Sequence, residues 1–126
     1  MRYLGIDYGT KRIGVAVSDE EGRIAFPFTT IEAGRGAPSA VYALVKEKGA
    51  SAVVVGESRN FKDEPNTVQE DIAQFKKDLE ELAGVPVYYE REFMTSALAA
   101  RSGGDDSSAA ALILQSYLDR KKHGDD

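Results

Sequence analysis

Two apolar runs joined by a very short turn constrain this chain more than any other feature. Tyr3–Asp7 ("YLGID") and Ile13–Ser18 ("IGVAVS") are linked by Tyr8–Arg12 ("YGTKR"), a stretch rich in turn-formers. So short a connection cannot hold a crossover helix, so the two strands pair antiparallel. Arg23–Phe28, after "DEEG", reads as a third strand and extends the pair to a meander. The hairpin leaves one residue unexplained. Asp7 puts a carboxylate at the end of an apolar strand, where it can open the turn, hold a metal ion or contact a phosphate; spacing alone leaves all three open.

Beyond the meander, helices and strands alternate. Pro38–Lys48 predicts a helix with Val41, Leu44 and Val45 on one face and Gly49 as its stop. "ASAVVVGE" supplies a continuous apolar strand, Ala52–Val55, of the kind buried on both faces. Val68–Ala83 carries Val68, Ile72, Phe75, Leu79 and Leu82 at steps of four and three, one apolar helical stripe. Thr67 and Glu70 form a capping-box pattern before it, and Gly84 closes it. "VPVYYE" is a fifth strand. A short helix through Thr95–Arg101, a joint at "SGGDDS" and a last helix, Ser107–Lys121, complete the order β-β-β-α-β-α-β-α-α. That order predicts an α/β fold: a five-stranded mixed sheet, three strands antiparallel and then two parallel, with helices on both faces. The expected organisation is a single domain over residues 1–121 with a polar, disordered tail at 122–126.

Composition narrows the chemistry. The 126 residues suffice for one well-buried core, and no window approaches the roughly 18 apolar residues of a membrane helix. "MRYLGID" turns polar too soon for a signal peptide, so a cytoplasmic protein with no membrane partner is expected. There is no cysteine, and the one histidine, His123, lies in the tail. Thiolate catalysis, histidine triads and sulfur-bound zinc are thereby set aside. A net charge of -5 argues against nonspecific coating of nucleic acid, yet permits a carboxylate cluster with a local basic rim.

The acids have a pattern. Asp7 ends the first strand, Glu57 follows the fourth, Glu90 and Glu92 end the fifth, and Asp106 opens the last helix. In a mixed sheet, sites lie off the carboxyl ends of the parallel strands, which would gather these residues on one edge. Clustered carboxylates raise one another's pKa, and hard divalent cations relieve the repulsion. Two Mg²⁺ or Mn²⁺ ions can activate water against a phosphodiester without any histidine. Taken singly, each acid has a plainer reading: Asp7 a turn former, Asp106 a helix N-cap, Glu57 a loop charge, Glu90 and Glu92 solvated strand ends. Lys11, Arg12, Arg59, Lys62 and Arg91 read as solvated surface on the same terms.

Four segments shift that balance. "GIDYGTKRIGVAVSD" and "DDSSAAALILQSYLD" closely resemble the first and last motifs of the YqgF/RuvX family of pre-16S rRNA nucleases and Holliday-junction-resolvase-like proteins. "VVVG" followed by Asn60, and "REFMTS" followed by Ala99, are weaker matches to its two middle motifs. The resemblance implies the ribonuclease-H-like fold. It also implies a catalytic, metal-holding trio of Asp7, Glu92 and Asp106, with Asp7 bridging two cations and the other acids holding a side each. Placement, rather than the resemblance, offers Lys11 and Arg12 as contacts to phosphates beside the scissile one, with Arg59 and Lys62 extending the rim. Asn60 is a further substrate contact, and Thr95 first caps the helix after Glu92 and second contacts substrate. Two departures stand out. Glu57-Ser58-Arg59 replaces the family's "LPL", making Glu57 a candidate extra ligand. Arg91 replaces an aspartate, which leaves Glu90 competing with Glu92 for the metal; the spacing to Thr95-Ser96 favours Glu92.

The function so implied is metal-dependent hydrolysis of phosphodiesters, in 5′-end maturation of precursor 16S rRNA. Its partners are the rRNA precursor, with ribosome association and DNA as further candidates, and the protein is a monomer or homodimer. The alternatives are a resolvase-like nuclease on branched DNA and a non-catalytic RNA- or ribosome-binding module. An ATPase of the actin or sugar-kinase type would need a second copy of the fold to form its cleft.

Overall fold

The computed structural model describes residues 1–9, 11–56, 65–90 and 106–122, with the backbone alone at 65–69, 106 and 122. Five strands, β1 (Tyr3–Asp7), β2 (Arg12–Ser18), β3 (Ala25–Glu32), β4 (Ala52–Gly56) and β5 (Val87–Glu90), form one sheet in the order β3-β2-β1-β4-β5. Three helices are described: α1 (Ala37–Lys48), α2 (Pro65–Ala83) and α3 (Asp106–Lys122). β3, β2 and β1 pair antiparallel, whereas β4 and β5 run parallel to β1. The expected α/β mixed sheet is the observed one.

Strand alternation sorts the core into two layers. Leu4, Ile6, Ile13, Val15, Val53, Val55 and Val87 pack under α1 and α2 with Val41, Val45, Ile72, Phe75 and Leu79. On the other face Tyr3, Ala16, Ala52 and Val54 meet Ala110, Ala111, Ile113, Leu114 and Leu118 of α3. Small residues let α3 come very close. A Cβ on Gly5 would lie 2.6 Å from the Cβ of Leu114 and 3.0 Å from the Ala110 carbonyl oxygen. One on Gly56 would lie 2.9 Å from Cγ2 of Ile113.

Two sequence expectations need correction. The third strand does not stop at Phe28: it runs to Glu32, because Thr29–Glu32 pair with Arg12–Val15 across a bulge at Val15/Ala16. Pro27 is tolerated there because β3 is an edge strand. Thr67 and Glu70 do not cap α2 either. The helix already includes Pro65, which suits a first turn because proline has no N–H to leave unpaired, so both residues lie inside it. The predicted helix Thr95–Arg101 and most of the tail lie outside the described residues. No described helix is long and apolar enough to cross a membrane.

Candidate active site

Asp7 ends the central strand and is only 6% exposed. Its place on the sheet follows from register. Asp7 pairs with Gly14 on β2 and Gly56 on β4, and Gly56 pairs with Glu90 on β5. Laterally paired residues point to the same face, so Gly14, Asp7, Gly56 and Glu90 form one row on the α3 side. Glycine on either side makes Asp7 the side chain that rises from the middle of that row. The turn reading of Asp7 is therefore incomplete, because a solvated turn former would not be buried beneath a helix.

α3 approaches from above. Its first residue, Asp106, lies one turn before Ala110, whose carbonyl oxygen sits against Gly5, two residues below Asp7 on the same face. The backbone thus brings the start of α3 to the face that carries Asp7. Arg12 opens β2 two residues beyond Gly14, again on that face, and both Lys11 and Arg12 are exposed. The chain between β1 and β2 is tied to the next connection by the Ala33 N–H, which donates to the Lys11 carbonyl at 3.0 Å. Tyr8 turns to the opposite face. Its N–H donates to the Gly56 carbonyl at 2.9 Å and its ring packs on Phe75 at 5.4 Å. Burial, and then the nearby Asp71 charge, raise its phenol pKa. A cavity of about 350 Å³ opens beside Tyr8 under α1 and α2. Its lining sets two acids, Asp71 and Asp78, against one arginine, Arg35, a poor balance for phosphate.

Glu90 is the residue that sequence reasoning misjudged. It is not a solvated strand end: it is fully buried, and its Oε2 accepts from Arg120 Nη1 at 2.6 Å and from Ser116 Oγ at 3.0 Å. That oxygen is held by the far half of α3, whereas Glu92, its competitor in the sequence, lies outside the described residues. Neither Arg120 nor Ser116 stood out in the sequence. Their helical spacing of four, on one face with Glu90 two residues after Tyr88 on the same strand face, was the available signal.

Glu57, Arg59, Asn60, Glu92 and Thr95 lie outside the described residues, as does the side chain of Asp106. Among the described residues no three His, Cys, Asp or Glu side chains gather as a metal site. The donor chemistry can still be tested. A buried carboxylate, in a chain without cysteine and with its lone histidine in the tail, fits a hard, oxygen-preferring cation.

An antiparallel meander, a parallel half built on its first strand and an acid at that strand's end define the ribonuclease-H-like class. Comparison with solved structures agrees. A Thermus thermophilus RuvC in complex with a Holliday junction substrate superposes with a TM-score of 0.63 at 18% identity, covering 97% of this chain and 96% of that one. The fowlpox virus Holliday junction resolvase gives 0.57 at 15% identity, covering 95% and 99%. At such identities the likeness is one of fold. Sequence similarity goes further: residues 1–120 match the family described as "RuvX: Holliday junction resolvase". Proteins named "Putative pre-16S rRNA nuclease" are 35% identical over 133 residues in Chloroflexus aurantiacus (94% of this chain, 87% of that one) and 36% identical over 138 residues in Caldanaerobacter subterraneus subsp. tengcongensis (98% and 99%). This chain belongs to the RuvX family.

Proposed function

We propose that this protein is a metal-dependent nuclease that trims the 5′ end of precursor 16S rRNA. The observation that carries the reading is Asp7, a buried carboxylate at the carboxyl end of the central strand, in a chain whose relatives bear the rRNA-nuclease name. Asp7, Glu92 and Asp106 would hold Mg²⁺ or Mn²⁺, with Glu57 as a fourth ligand. When bound, such ions lower the pKa of water and neutralise the charge that builds on the leaving oxygen. The chain's own part is orientation. β1 and the glycines beside Asp7 fix its carboxylate, and α3 covers the row from which it rises. Arg59, Asn60 and Thr95 are assigned to the substrate strand. The enzyme acts in the cytoplasm on naked precursor or on an assembling ribosomal particle. A single rRNA end needs one active site, whereas paired cuts in a four-way junction need two related by symmetry.

The test offers labelled precursor 16S rRNA and a four-way DNA junction to the protein, with Mg²⁺, Mn²⁺ or a chelator. Metal-dependent cleavage of the RNA at its 5′ end is expected. Junction resolution with intact RNA would replace the substrate, and binding without cleavage of either would make the protein a non-catalytic module.

Lys11 and Arg12 stand exposed just past the Asp7 row, where they can meet the phosphates flanking the scissile one. Replacing both by Ala should weaken RNA binding. It should also flatten the plot of log affinity against log salt by about 1.4, two contacts at roughly 0.7 each for a single strand. An unchanged slope would return both residues to the solvated surface.

A further inference from the structure

Between α3 and β1, β2 and β4 the contact is mainly apolar, while β3 is tied to α3 by Gln115, whose Oε1 accepts from the Ala25 N–H and whose Nε2 donates to the Arg23 carbonyl, each at 2.9 Å. Tyr3, Ala16, Ala52 and Val54 of the other strands join the cluster under α3, and no β5 residue does. What ties β5 to α3 among the described residues is of another kind. Tyr88 stacks on Tyr117 with centroids 5.6 Å apart and planes 16° apart, and Glu90 takes bonds from Ser116 and Arg120. Arg120 is half exposed, and its guanidinium lies 5.8 Å from the Tyr117 ring centroid, held between aromatic and carboxylate.

Stability does not call for a carboxylate at this position. Glu90 is completely buried, and among the described residues its Oε1 has no hydrogen-bond partner. An ion pair so placed is commonly no more stabilising than apolar side chains of the same size. What it adds is direction, because a short charge-assisted bond fixes the angle between two elements where methyl contacts would let them slide. The elements concerned matter. β5 leads in two residues to Glu92, and α3 begins at Asp106.

We propose that the Glu90–Arg120 pair, with Ser116, is a latch that positions the carboxyl end of β5 against α3 and so sets the separation of two acids of the metal site. The proposal rests on the nuclease reading above. In this proposal Glu90 and Arg120 are positioning residues, acting through the placement of β5 and α3 rather than as ligands.

The test replaces both partners by an apolar pair, Glu90→Met with Arg120→Met, in the full chain. Tm should hold or rise, since a buried charge and an orphaned oxygen are removed together. Mn²⁺ affinity by calorimetry should fall by about tenfold or more, the range seen when groups that orient metal ligands are lost. kcat should fall by about tenfold to a hundredfold with KM for RNA little changed, as for a small misplacement of reacting groups. Arg120→Lys, which keeps the charge, should recover part of both. If the double variant does not fold, Glu90→Gln with Arg120→Ala, which also removes both charges but keeps the shape at the buried position, makes the same comparison. Wild-type protein that binds Mn²⁺ and cleaves RNA, beside a variant with the same Mn²⁺ affinity and kcat, removes the latch and leaves the nuclease reading standing. Wild-type protein that neither binds Mn²⁺ nor cleaves removes the nuclease reading, and the latch with it.

Discussion

Asp7→Asn is expected to leave a folded protein without detectable cleavage. Asn fills the same volume at the end of β1, so the packing of α3 over the row Gly14–Asp7–Gly56 is not disturbed. Charge is what changes. A neutral amide is a far weaker ligand for a hard divalent ion than a carboxylate, and it cannot offset the charge of two such ions. Losing an electrostatic contribution of that kind should lower kcat by roughly 10³-fold or more. The near-isosteric change at a site only 6% exposed should leave the protein folded. Circular dichroism on the variant, followed by cleavage of labelled precursor RNA across a Mg²⁺ and a Mn²⁺ titration, checks both halves. A folded Asp7→Asn protein that cleaves near the wild-type rate would defeat the metal-site hypothesis.

How far the sequence could be read follows from the range of the forces involved. Strand order was legible because it depends on short-range signals: the five-residue turn at Tyr8–Arg12 forces a hairpin, and "AVVV" has nowhere to go but a doubly covered strand. Asp7 was legible as a candidate because an acid closing an apolar strand conflicts with local preference, and such conflicts mark functional positions. Glu90 was illegible for the opposite reason. Its partners lie 26 and 30 residues away on α3, and nothing local separates a solvated strand-end glutamate from one paired beneath a helix. β3 ran past its expected end because pairing with β2 decided its length, and pairing is a tertiary matter.

The second large effect is expected at a residue with no side chain. Gly5→Ala adds one methyl where β1 meets α3, and the neighbours of that methyl cannot easily give way. The Cβ of Leu114 would be 2.6 Å away and the Ala110 carbonyl oxygen 3.0 Å away. Both belong to the body of the helix rather than to the tip of a flexible side chain. The helix itself must therefore lift or slide. Overpacking of this kind costs about 1–3 kcal/mol, partly offset by the roughly 0.5–1 kcal/mol that Ala gains over Gly by restricting the unfolded chain. A net loss of about 1–2 kcal/mol should lower Tm by about 5–10 °C in a protein of this size. Activity should suffer more than stability, because the displaced helix begins at Asp106 and the strand beneath it ends at Asp7. Cleavage measured well below the variant's Tm, where nearly all of it is folded, should still fall by about tenfold or more. Gly36→Ala is the control. A Cβ there meets nothing within 4 Å, so only the modest loss of a helix-capping glycine, under about 1 kcal/mol, is expected, with activity unchanged. A Gly5→Ala protein with wild-type Tm and wild-type cleavage would mean that α3 does not depend on its close approach to β1, and that the acid on its first turn is placed by something else.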